Sequence, residues 1–194
     1  MNTPAHLIFA AAAFARPASD AAARRRNWAA ALGGVAPDVG LFLLIGWARL
    51  VQQRELHRIF TEDYLSPLWT SVFRVDNSIP LWGLLAAVAL WRGWTSLAVF
   101  GGAGLLHLLF DLPLHGSDAR PHFWPLSDRV FHSPISYWDP AAHGGLISVL
   151  ELAACAGLAL LLLRRFRGWP ARMAIVLALA AEAAPRLLWP LLLG

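Results

Sequence analysis

Apolar runs long enough to cross a bilayer recur along this chain. Six stretches can be drawn, over residues 4–15, 28–47, 79–91, 94–112, 144–163 and 172–193. A full crossing needs about 20 residues at 1.5 Å rise. The second, fourth, fifth and sixth stretches qualify. The first and third are short enough to tilt little, lie partly in the interface or thin the bilayer. Composition agrees: 58% of residues are hydrophobic and 14% charged, where a soluble domain carries roughly 25% charged residues. The expected fold is all-α, a polytopic membrane helical bundle of about five to six transmembrane or half-spanning helices. It is read as one integral membrane domain, residues 1–194, with two long outer loops, 48–78 and 113–143. Small residues at Gly33-Gly34 and Gly101-Gly102 let helices approach closely. Pro37 and Pro185 should kink the second and sixth helices.

Arginine gives the orientation. All 16 basic residues are Arg. Arg16 and Arg24 to Arg26, Arg92, and Arg164, Arg165, Arg167 and Arg172 crowd three short connections that fall on one side, which is therefore cytoplasmic. This explains the basic balance without nucleic acid, which is not expected as a partner. Trp28 and Trp47, and Trp169 and Trp189, are spaced to meet two aromatic belts. The single cysteine, Cys155, excludes an intramolecular disulfide and reads as packing in the fifth helix. The N-terminus lacks the positive region of a signal peptide.

Against this apolar background stand a few ionisable groups. A charge near the bilayer centre costs at least ~2.5–3.5 kcal/mol on insertion scales, so such residues face a cavity or a partner and usually mark a working site. His107 and Asp111 lie four apart in the fourth stretch, on one helix face. An imidazole and a carboxylate so placed are half of a metal site; the alternative is a histidine bonded to its own aspartate for packing. Helical rise and the arginine topology put His6, Asp38, His107, Asp111, Glu151 and Glu182 in the outer half of the bundle, with His57 in the first outer loop. This predicts an outward-open polar cavity, where a bundle would place metal ligands from facing helices. Glu182 and Arg186, four apart, are expected to neutralise each other. Glu151 has no obvious local partner.

The second loop carries His115, His122, His132 and His143 among five prolines and two tryptophans. It reads as a stiff lid rather than a flexible linker. Pro113 ends the helix just after Asp111. His115 can fold back to the same metal, while surface or packing roles are expected for the other three histidines.

Four pieces occur in order: Thr3-Pro4-Ala5-His6; Gly33-Gly34-Val35-Ala36-Pro37-Asp38; His57-Arg58-Ile59-Phe60-Thr61; and His107-x3-Asp111, followed by a Gly and Trp124-Pro125-Leu126-Ser127. Over roughly residues 3–128, the set resembles the bacterial LexA-regulated inner-membrane metal-dependent hydrolase family. More distantly, its order of ligand types is similar to that of zinc-dependent phospholipases C and related single-strand nucleases. The resemblance implies a helical fold in the bacterial inner membrane. It also implies a site for divalent metal, zinc foremost and more than one ion, built from His6, Asp38, His57, His107 and Asp111. With the arginine topology, that site faces the periplasm. There are two departures. Gly40 stands where the family commonly has a second acidic residue. Thr61 is followed by Glu62 and Asp63, so Glu62 stands where a histidine ligand would.

The expected chemistry is metal-assisted hydrolysis of a small amphiphilic substrate, a phosphodiester or phospholipid drawn from membrane lipid. A divalent ion lowers the pKa of bound water and polarises a phosphoryl or carbonyl oxygen. Asp38 or Glu62 is the candidate general base. Arg58, as a bidentate donor to an anionic head group, and His115 are the candidate substrate-binding residues. The rival reading is a non-enzymatic membrane scaffold or transporter with a structural metal site. His-Glu-x-x-His, Gly-x-Ser-x-Gly and phosphate-binding Gly-rich signatures are absent.

Overall fold

The computed structural model describes residues 1–193, the side chains of residues 186–193 excepted. Among the described residues all regular structure is helical. Helix α1 (Thr3–Phe14) carries Pro4 in its first turn, where a missing N–H removes no helical bond. Helix α2 (Ala21–Val35) starts at Asp20, whose carboxylate accepts from the Ala23 N–H at 2.7 Å, a helix cap. It therefore begins at Ala21 rather than Trp28, and Arg24 to Arg26 lie on the helix instead of in a connection.

The proline kink expected at Pro37 is a full break. A 3-10 turn, Ala36–Asp38, joins α2 to α3 (Val39–Leu50). Proline has no N–H to donate and crowds the carbonyl four residues back, so the α-helical ladder cannot run through. Asp38 is thereby set at an interruption inside the apolar segment Ala21–Leu50.

The loop expected over 48–78 is largely helical. It holds a single turn, α4 (Leu56–Arg58), a π-helical turn (Ile59–Asp63) and α5 (Pro67–Asp76). Trp69 and Phe73, four apart on α5, bury one face beside Ala48, Ile59 and Tyr64. Arg74 and Asp76 make the segment too polar to read as a span, which hid it among the loop residues.

Helix α6 (Ile79–Trp91) begins behind Ser78, whose Oγ accepts from the Leu81 N–H at 3.0 Å. Helix α7 (Thr95–Asp111) ends in a 3-10 turn around Pro113. Helices α8 (Gly144–Arg165) and α9 (Trp169–Leu193) follow. Among the described residues, three segments are long and apolar enough to cross a membrane: Ala21–Leu50, Thr95–Leu114 and Gly144–Arg165. Trp28, Leu43, Trp47, Leu90 and Trp91 all point outward, an apolar exterior of the kind that meets lipid. Trp189, expected to pair with Trp169 across the two belts, has its side chain outside the described residues.

Helix α7 is central and packs against α1, α2 and α6. Close approach depends on Gly33 and Gly34. A Cβ at Gly33 would lie 2.9 Å from the Ala103 Cβ, and one at Gly34 2.7 Å from the Ala10 Cβ. Behind α1, Ala5 and Ile8 pack with Cys155 and Leu162 of α8, so Cys155 is a packing residue as expected. Arg165 Nη1 closes the far end of α1 by donating to the Ala12 and Ala15 carbonyls, each at 2.8 Å.

Candidate metal centre

Four of the five expected metal ligands converge where α1 begins, α2 breaks and α7 ends. His6, Asp38, His107 and Asp111 are 2–5% exposed. His6 Nε2 lies 2.9 Å from Asp111 Oδ1, and His107 Nε2 lies 3.1 Å from Asp111 Oδ2 and 3.7 Å from Asp38 Oδ1. The His6 and His107 rings stack at 3.5 Å. One ligand atom from each of His6, His107 and Asp111 fits within a 4.8 Å sphere of mutual distances, so this group could hold a metal ion. His115 folds back as expected, its Nε2 3.4 Å from Asp111 Oδ1.

Protonation makes the arrangement pointed. His107 Nδ1 is 2.8 Å from the Gly34 carbonyl. A carbonyl only accepts, so Nδ1 carries a proton, which in the neutral ring leaves a lone pair on Nε2. That lone pair faces two carboxylates and has no hydrogen-bond partner. Acceptor facing acceptor at 3.1 Å is repulsive unless a proton or a cation lies between them. The backbone carbonyl orients the ring in the way that outer partners orient metal-bound imidazoles. Bonds of about 2.0–2.1 Å in tetrahedral geometry set ligand atoms roughly 3.3 Å apart, and the observed spacings bracket that value. The donor set of His6, His107 and Asp111 could therefore hold a metal ion.

The expected open cavity is closed. The loop over 113–143 lays His115, Arg120 and His122 across the group, each buried. Ser133 Oγ donates to the Pro113 carbonyl at 2.6 Å and Tyr137 N–H to the Leu114 carbonyl at 3.1 Å, which pins the loop to the end of α7. His115 Nδ1 meets Asp118 Oδ2 at 2.7 Å. Burial works to lower the His115 pKa, but Asp111 and Asp118 raise it above its usual value. His122 is pushed down to about 4, mainly by desolvation. Its Nδ1 donates to the Arg120 carbonyl at 2.8 Å and its buried Nε2 has no partner. Of the surface or packing roles expected of His122, burial excludes the surface one.

Arg120, in the second loop, is given no site role by the sequence. It is 3% exposed, and its Nη1 lies 3.3 Å from Asp38 Oδ1 and 2.8 Å from Asn77 Oδ1. Its Nε donates to the Tyr64 hydroxyl at 3.1 Å. Desolvation lowers its pKa, but Tyr64, Asp38 and Asp111 raise it more, so it stays charged. Asp38 Oδ2 accepts from the Thr3 hydroxyl at 2.5 Å. The only sequence signal for Arg120 was its place before Pro121 in a proline-stiffened loop.

Gly40, the departure after Pro-Asp, also has a physical counterpart. A side chain at Gly40 would collide with the Asp76 carboxylate, which occupies that space from α5 and accepts from the Gly40 N–H.

Three expected site residues lie elsewhere. His57 and Arg58 are exposed on α4. The Glu62 side chain is 54% exposed and meets Arg54 Nη2 at 2.7 Å. The structure does not bring these three to the group. Glu151 and Glu182 are buried and both hold Asn2: its N–H meets Glu151 Oε1 at 2.7 Å and its Nδ2 meets Glu182 Oε1 at 3.1 Å. The pairing expected between Glu182 and Arg186 lies outside the described residues. Comparison with family models, curated proteins and solved structures gave no match to this chain.

Proposed function

We propose that this chain is a membrane-embedded metal-dependent hydrolase acting on an amphiphilic substrate, a phosphodiester or phospholipid, as its resemblance to the inner-membrane hydrolase family suggests. On this reading α1, α6 and α9 complete a bundle of five to six spanning or half-spanning helices in a bacterial inner membrane, with the centre toward the periplasm. The observation that carries it is the buried His107 Nε2 atom held against Asp111 and Asp38. His6, His107 and Asp111 would hold the ion, zinc foremost, with His115 as a further donor. Bound there, a divalent ion supplies Lewis acidity, which activates water near neutral pH and polarises a phosphoryl or carbonyl oxygen. Asp38 is the proton acceptor, since it borders His107 while Glu62 does not. The apolar exterior lets the acyl part of a substrate stay in lipid while its polar bond reaches the end of α7.

Purified protein should carry stoichiometric zinc and cleave a phospholipid or phosphodiester, and chelation should abolish that cleavage. Stoichiometric metal with no turnover of lipid, phosphodiester or ester would refute the hydrolase. It would favour the second reading, a structural metal site, which the near-complete burial of His6, His107 and Asp111 supports. Closed shells are structural and open ones catalytic.

A further inference from the structure

We propose that Arg120 is the phosphoryl-binding residue of this centre, so that the substrate presents an anionic phosphoryl group between the guanidinium and the His6–His107–Asp111 group. The inference rests on the metal-dependent reading above and adds the substrate's charged group to it.

Three observations carry it. First, the guanidinium is only partly used. Nε donates to Tyr64, and Nη1 serves both Asp38 and Asn77. Nη2, with two further N–H donors, takes no part in these three bonds. A buried arginine kept only as a counter-ion would satisfy its donors. Second, the cation is fixed in place. Its Cζ lies 4.8 Å from the Phe73 ring centroid and 5.9 Å from that of Tyr64, and the Tyr64 hydroxyl and Asn77 hold its edge. A planar fork held this way is prepared for an oxyanion. Third, it adjoins the metal group. Asp38 Oδ1 is shared between Arg120 Nη1 at 3.3 Å and His107 Nε2 at 3.7 Å. A phosphoryl group can turn one non-bridging oxygen to Nη2 and another toward the metal ligands. Arg58, the arginine expected for this role, is exposed on α4 and does not adjoin the group.

The test is calorimetric titration of the full chain in detergent micelles, metal-free and zinc-loaded, with orthophosphate, glycerol 3-phosphate, acetate and short-chain phosphatidate. Wild type should bind phosphate. Arg120→Gln should weaken that binding tenfold or more, and Arg120→Lys by an intermediate factor. Circular dichroism checks the fold, and Arg120→Lys carries the test if Arg120→Gln does not fold. Equal phosphate affinity in wild type and variant, no phosphate binding in either form, or acetate bound as tightly as phosphate would each overturn the proposal. Arg120-dependent phosphate binding in a chain that takes up no zinc would support it and overturn the metal reading instead. Zinc uptake with phosphate binding indifferent to Arg120 would overturn this proposal alone. Phosphatidate bound more tightly than glycerol 3-phosphate supports it with a lipid as source, and equal affinities support it with a soluble phosphate ester.

Discussion

Two regions of this chain carry the same residue types and behave in opposite ways. At the end of α7, two imidazoles and two carboxylates are sealed against one another, 2–5% exposed. Between His57 and Asp63, a histidine and an arginine are exposed, Glu62 is exposed and Asp63 half-buried, with Arg54 bridging Glu62 at 2.7 Å and Asp63 at 2.6 Å. Exposed ion pairs are screened and can trade partners with water. Buried charges have no such exchange, and removing one partner leaves the others uncompensated. A histidine–acid motif therefore predicts a site only where helix packing removes water from it.

The largest effect that would break this contrast is at Asp111, which meets His6, His107 and His115. Asp111→Asn keeps the shape and deletes the charge. It should abolish stoichiometric zinc, read by elemental analysis of the purified protein, and cost about 3–5 kcal/mol of stability, as loss of a buried ionic partner does. Full zinc content in this variant would remove the metal centre from the end of α7.

The next effect tests whether packing, rather than the ligands alone, makes the centre. A Cβ at Gly34 would lie 2.7 Å from the Ala10 Cβ and 3.0 Å from the His6 carbonyl. Gly34→Ala should push α1 away from α2, carry His6 with it and cost about 1–3 kcal/mol, the range for overpacking. Thermal unfolding and zinc affinity, measured together, should both fall. An unchanged melting temperature would show that α1 is not packed as described.

How much of this was legible follows from where each contact lies in the chain. Local signals did well. Pro113 marked the end of α7, Pro37 a kink that proves to be a full break, and the i,i+4 spacing put His107 and Asp111 on one face. Depth along helices then gathered His6 and Asp38 with them. Arg120 escaped because its partners Asp38, Asn77 and Tyr64 lie 82, 43 and 56 residues away, a distance no local pattern spans. Helix α5 escaped because its buried face is only one turn of aromatics, Trp69 and Phe73, among polar neighbours. His57 was drawn in by order along the chain, and order does not fix depth.

A smaller effect sits one bond outward from the ligands. Asp118 accepts from His115 Nδ1 at 2.7 Å and from Trp138 Nε1 at 3.1 Å, so it aims the His115 ring at Asp111 and ties the loop down. Asp118→Asn should weaken zinc binding by about 10–100-fold, the usual loss on removing an outer partner of a ligating histidine. Competition with a chelator of known affinity measures it, and unchanged affinity would remove His115 from the donor set.

The smallest expected effect sharpens the contrast most, because it is a predicted absence of change. His57 is exposed on α4, and its backbone carbonyl, not its ring, accepts from the Thr61 hydroxyl at 2.9 Å. His57→Ala should shift stability by no more than about 0.5 kcal/mol, as surface substitutions do, and should leave zinc content at the wild-type value. Glu62→Gln, which takes the charge from the Arg54 pair, should also leave zinc content alone. A drop in zinc with His57→Ala would mean that α4 folds inward over the end of α7 when the ion binds, bringing the exposed region into the buried one. The two variants separate the cases: an inward movement of the whole segment would cost zinc in both, whereas a ligand role for the imidazole alone would cost it only in His57→Ala.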